Sequence, residues 1–130
     1  MTTALHTRDA LLRGAIRWDA TGVGVMGLVL AGFAAPSTRA TGLAPTHVYV
    51  AAAAFVIYGL VGNYLAGRRA IGPIGTGFSV FNFVGAAGQI AVVPAELLPL
   101  TGTGKAALVF GGLWALVFGV LQLAGVRRLS

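Results

Sequence analysis

The chain has 130 residues, of which 57% are hydrophobic and only 9% charged, with a formal charge of +6 and no cysteine. Soluble domains carry about 25% charged residues, so a chain this small would leave too much apolar surface in water, and a bilayer suits it better. The missing cysteines exclude disulfides, thiolate metal sites and thiol catalysis. The few basic residues sit at segment ends without an aromatic platform, which argues against a nucleic-acid partner.

Four apolar runs follow one another. The first, residues 18–36, is preceded by a largely polar segment too long for the basic start of a signal peptide, so it is read as a retained span. The second covers residues 47–67, the third 76–98 and the fourth 106–126. Each is about 20 residues, which at 1.5 Å rise crosses a hydrocarbon layer of about 30 Å. The links STRATGLAPT, RRAIGPIG and PLTGTGK carry glycine and proline and read as turns. Short links make neighbouring helices antiparallel. Continuous rather than alternating apolar runs argue against a β-barrel.

Arg8, Arg13, Arg17, Arg68, Arg69, Arg127 and Arg128 fall on one side of these spans, and only Arg39 and Lys105 on the other. The positive-inside rule then places both termini in the cytoplasm. Trp18, Tyr49 and Tyr64 lie near span ends, where amphipathic rings settle. Glycine, at 20 of 130 residues without a three-residue period, fits helices that approach closely in a membrane.

Polar residues inside the runs are the candidate site. In FNFVGAAGQIAVVPAEL, residues 81–97, Asn82, Gln89 and Glu96 recur every seven positions and share a helical face. Pro94 interrupts that face and is expected to kink the helix, which would turn Glu96 away. Counted from Ala35, His47, Leu98 and Ala106 at the outer ends of the spans, Asp19, Asn63, Asn82 and Gln122 each lie 16 residues in, or about 24 Å. Each span therefore carries one strongly polar side chain at one level. Three readings stay open for this layer: hydrogen-bonded glue between helices, a polar pocket reached from the cytoplasm, or headgroup exposure, the last chiefly for Asp19. Gln89 and Trp114 match in depth near the midplane, so the Gln89 carbonyl is expected to accept from the indole N–H. At the outer end His47 and Glu96 share a level and suit a proton or cation pair, against the plainer alternative of a Glu96 salt bridge to Lys105 or Arg39.

Other chemistry is missing. LTGTGK at residues 100–105 lacks the full phosphate-loop pattern, and there is no HExxH. His6 and His47 fall on opposite sides, and no Ser–His–acid set shares a level. No catalytic residue, metal site or cofactor is expected, and an enzyme is disfavoured.

LRGAIRWDATGVGVMGLVLAGFAAP at 12–36, Asn82 in the third run, and LTGTGKAALVFGGLWALVFGVLQLAGVRR at 100–128 resemble the small uncharacterised four-helix integral membrane proteins of high-GC actinobacteria. The matching positions are Leu100, Thr101 and Gly104, then Leu121, Gln122, Gly125, Arg127 and Arg128. Members of that group often carry a tryptophan two or three residues after the asparagine, where this chain has Gly85 and places its tryptophan at 114. The resemblance implies the same fold and supplies no mechanism.

The reading is thus an all-α, four-helix transmembrane bundle over residues 1–130, with antiparallel neighbours and both termini cytoplasmic, in the plasma membrane. With almost no loop surface, the chain is expected to work through partners: membrane lipids, further copies of itself, or another membrane protein. Self-association or an accessory role leads. The alternatives are an oligomeric small-solute transporter or channel, and a lipid- or hydrophobic-ligand-binding protein, which would show an apolar cleft between helices.

Overall fold

The computed structural model describes residues 2–130, with side chains from Arg8 onward. All regular structure is helical: α1 (Thr2–Gly32), α2 (Ala34–Thr41), α3 (Pro45–Leu65), α4 (Ile71–Ala95) and α5 (Gly102–Arg127). Three helices, α3, α4 and α5, are long and apolar enough to cross a membrane, and a fourth span is formed if α1 and α2 count as one bent unit. Of the most apolar stretch of each of the three, only 17% to 22% is buried within the chain. Leu28, Val50, Leu60, Val84 and Phe110 are among the large apolar side chains left exposed. Such a surface suits hydrocarbon, and the chain is a multi-pass membrane protein.

α1 begins well before the first apolar run. Its 31 residues extend about 46 Å, further than the hydrocarbon layer requires. The added turns are helical because they have a core to bury: Leu12, Ala15, Ile16, Asp19 and Ala20 follow one helical face and are all buried. Leu12 and Ile16 close a cluster with Ala66, Ile71, Ile74, Phe78, Val126 and Leu129, drawn from α4, the end of α5 and the segments beside them. Arg13 ties the same end together. Its Nη1 donates to the carbonyls of Ala66 (2.6 Å) and Arg68 (2.9 Å), and its Nε pairs with Asp9 at 3.1 Å.

The first span is not straight. It turns through 97° between Gly32 and Ala34. Pro36 is the cause, since its ring would strike the carbonyl of Gly32 in a continuous helix. Within the first turn of α2 the same proline is tolerated. The expected linker STRATGLAPT is therefore largely helix α2, which ends on Gly42 in the left-handed conformation (φ 81°). Pro94 does not bend α4 in mid-span; it lies in the last turn, and the helix stops at Ala95 with Glu96 in a left-handed cap at φ 54°.

The helices pack in the order α3–α1–α5–α4. α1 and α3 approach closely because Ala20, Gly24 and Gly59 meet. A Cβ added to Gly59 would lie 2.9 Å from both the Ala20 carbonyl and the Gly24 Cα. On the other side, Gly112 of α5 faces Ile90 and Ala86 of α4, and Gly119 faces Phe83 and Asn82. Small residues bring these backbones together where no hydrophobic force separates helix from lipid. α3 and α4 meet differently, through side chains: the Tyr58 ring lies 5.6 Å from Phe78, edge-on, and 5.6 Å from Phe81, stacked.

Candidate functional site

At the centre of the bundle stands one carboxylate. Asp19 of α1 is fully buried (0% exposed), as is Gln122 of α5, and Asn82 of α4 is 5% exposed. A lone buried acid is costly unless its oxygens are satisfied, and here every long helix contributes. On α3, the Tyr58 hydroxyl donates to Oδ2 at 2.5 Å. Asn82 Nδ2 donates to the same oxygen at 2.9 Å, and Gln122 Nε2 at 3.0 Å. Oδ1 receives the Trp114 indole N–H at 3.0 Å. The donors also hold one another. Asn82 Nδ2 lies 2.9 Å from Gln122 Oε1, 3.0 Å from the Phe78 carbonyl and 3.3 Å from the Tyr58 hydroxyl. Four neutral donors converge on acceptor-only oxygens, which is the pattern a carboxylate requires.

Local structure makes room for this cluster. The Trp114 indole lies where any side chain at position 22 would stand, so Gly22 admits it. The ring also packs against Phe118 at 4.8 Å. One turn of α4 from Asn82, Ser79 donates to the Gly119 carbonyl at 2.9 Å and pins α4 to α5.

Asp19, Asn82 and Gln122 thus share one hydrogen-bonded cluster, while Asn63 stands apart. It donates to Thr21 Oγ1 at 3.2 Å and to the Gly59 carbonyl at 2.8 Å. The α3 position in the cluster is taken by Tyr58, five residues earlier. Headgroup exposure of Asp19 is corrected by its burial, because Tyr58 of α3, Asn82 of α4 and Trp114 and Gln122 of α5 enclose its carboxylate. The expected midplane pair does not form: Trp114 donates to Asp19 instead, and Gln89 lies against Gly111 of α5. His47 and Glu96 are both exposed. Among the described residues no hydrogen bond or ion pair joins them, nor Glu96 to Lys105 or Arg39; the ion pair present is Arg13–Asp9.

An apolar cleft, expected only for the lipid-binding alternative and given no place in the sequence, is present. Between α3 and α4 lies a groove of about 350 Å³, lined by apolar residues that include Val61, Leu65, Ile74, Gly77 and Phe81, with Tyr58 among them. A second, larger and more enclosed hollow of about 480 Å³ is lined by Arg68 and Arg69 and shares Leu65 and Ile74 with the first. Neither is lined by Asp19, Asn82 or Gln122. No group of three or more His, Cys, Asp or Glu suited to a metal ion occurs among the described residues. Comparison with protein-family models, with curated proteins and with solved structures finds no match to this chain.

Proposed function

We propose that this is a plasma-membrane protein with four antiparallel spans and both termini in the cytoplasm, and that it binds a hydrophobic ligand of the membrane in the cleft between α3 and α4. The observation that carries this reading is the cleft itself: a wholly side-chain seam, with apolar walls, in a bundle whose other packed seams are drawn tight by glycine. Ligand sites are concave and mostly apolar with few polar groups, and Tyr58 is the polar group here. Its ring lines the cleft while its hydroxyl holds Asp19. A transporter pathway through the polar cluster is less well supported, because the Asp19 oxygens are already filled by protein donors.

The test is recovery of lipid. Purified in mild detergent, the wild-type chain retains lipid that Gly77→Leu loses, since Gly77 borders the cleft and has nothing within 4 Å of an added Cβ. Equal lipid content in the two proteins refutes the reading. Self-association is the second reading, favoured by Gly77, Gly85 and Gly88 of α4, each with open space where a neighbour could pack. It requires Gly77→Leu to shift the oligomeric state while lipid content stays the same.

A further inference from the structure

The cleft and the basic hollow adjoin, and their order matches the order of groups in a phospholipid. Leu65 and Ile74 line both. Below them the cleft runs from Pro73 to Phe81 along α4, eight residues or about 12 Å. One leaflet of hydrocarbon is about 15 Å deep, so an acyl chain lying there would touch protein for most of its depth. Above them Arg68 and Arg69 line the mouth. Both are exposed, and the Arg68 guanidinium lies 5.4 Å from the centre of the Tyr64 ring.

The charge at this mouth is uncompensated. The chain has three acids, Asp9, Asp19 and Glu96. Asp9 is paired with Arg13, Asp19 is sealed in the core, and Glu96 caps the far end of α4. None lines the mouth. Ala70, which precedes the first turn of α4, lines it too and offers no side-chain cap to that turn. The N–H groups of the turn therefore add to the positive potential of the two arginines.

Resting on the cleft reading above, we infer that the ligand is an anionic phospholipid, its phosphate on Arg68 and Arg69 and one acyl chain in the α3/α4 cleft. A zwitterionic lipid would bring its own cation to a mouth that already holds two. Basic pockets between helices at this depth bind anionic headgroups for the same reason.

The experiment is native mass spectrometry of the full chain in detergent, titrated with phosphatidylglycerol or phosphatidylcholine of identical acyl chains. Wild type is expected to prefer phosphatidylglycerol by roughly 10- to 30-fold, from two arginines near the headgroup. Arg68→Gln with Arg69→Gln should remove that preference and leave phosphatidylcholine binding in place. Gly77→Leu should weaken both lipids together. Equal affinity for the two lipids in wild type, still lost in Gly77→Leu, overturns the anionic assignment and leaves the cleft reading intact. Binding that ignores Gly77→Leu overturns both. A rise in dimer on lipid removal, blocked by Gly77→Leu, assigns the cleft to a second copy and also overturns the proposal. Thermal unfolding of each variant shows that it is folded.

Discussion

The Asp19 cluster and the α3/α4 seam lie side by side, share Tyr58, and are built in opposite ways. Around Asp19 every long helix is drawn in, with donors from three helices on two oxygens and glycines thinning the α1–α3 and α4–α5 contacts. Along the seam α3 and α4 are held apart by aromatic rings, and the space between them stays open. The contrast teaches where stability resides. In hydrocarbon, apolar contact between helices gains little over apolar contact with lipid, so closure depends on polar links and on close backbone approach. The centre has both, and the seam has Tyr58 alone.

Substitutions can break or sharpen this contrast. The largest effect is expected from Asp19→Ala, which strands buried donors from Tyr58, Asn82, Trp114 and Gln122. Some can re-pair, and the net loss should be roughly 3–5 kcal/mol, read as a lower unfolding temperature in detergent. An unchanged temperature would mean that the cluster does not hold the bundle. Gly59→Val comes next. Its Cβ meets backbone on α1 and not a flexible side chain, so α1 and α3 must separate at a cost of about 2–3 kcal/mol; the same melting assay checks it.

Trp114→Phe removes one donor from Oδ1 and keeps most of the ring. A loss of about 1–2 kcal/mol is expected, with Trp18 left as the only tryptophan and therefore a single emission band from an exposed ring. Glu96→Gly should raise stability by about 0.5–1 kcal/mol, because a side chain at φ 54° is strained where glycine is not; a lower melting temperature would contradict the strained cap. Smallest of all is Gly77→Leu, expected within about 0.5 kcal/mol of wild type. A large loss there would show that the seam, too, contributes to folding.

Much of the central cluster is legible from spacing. A fixed rise of 1.5 Å per residue puts Asp19, Asn82 and Gln122 at one depth by counting alone, and their side chains do make hydrogen-bond contact. Depth says nothing of rotation about the helix axis or of reach. Asn63 has the right depth and finds Thr21 instead, whereas Tyr58, more than a turn away, spans the gap with a long ring. Trp114 sits eight residues from Gln122, yet its indole reaches the same carboxylate through the space at Gly22. A count that allowed for side-chain length, and that asked which glycines leave room for large rings, would have found both.

The sequence by itself determined the solvent and the apolar spans, though not the added turns of α1 or helix α2, because the length of each apolar run, the clustering of arginine and the paucity of charge depend only on local composition. It also contained the bend at Pro36 and the stop at Pro94, which follow from one missing N–H and one ring. Which helices touch was decided only in the tertiary structure. Partner choice rests on helix rotation and on glycine-to-backbone fits between segments far apart in the chain, and no local pattern encodes those. The open seam between α3 and α4 is a consequence of that choice, visible only once the other three seams have closed.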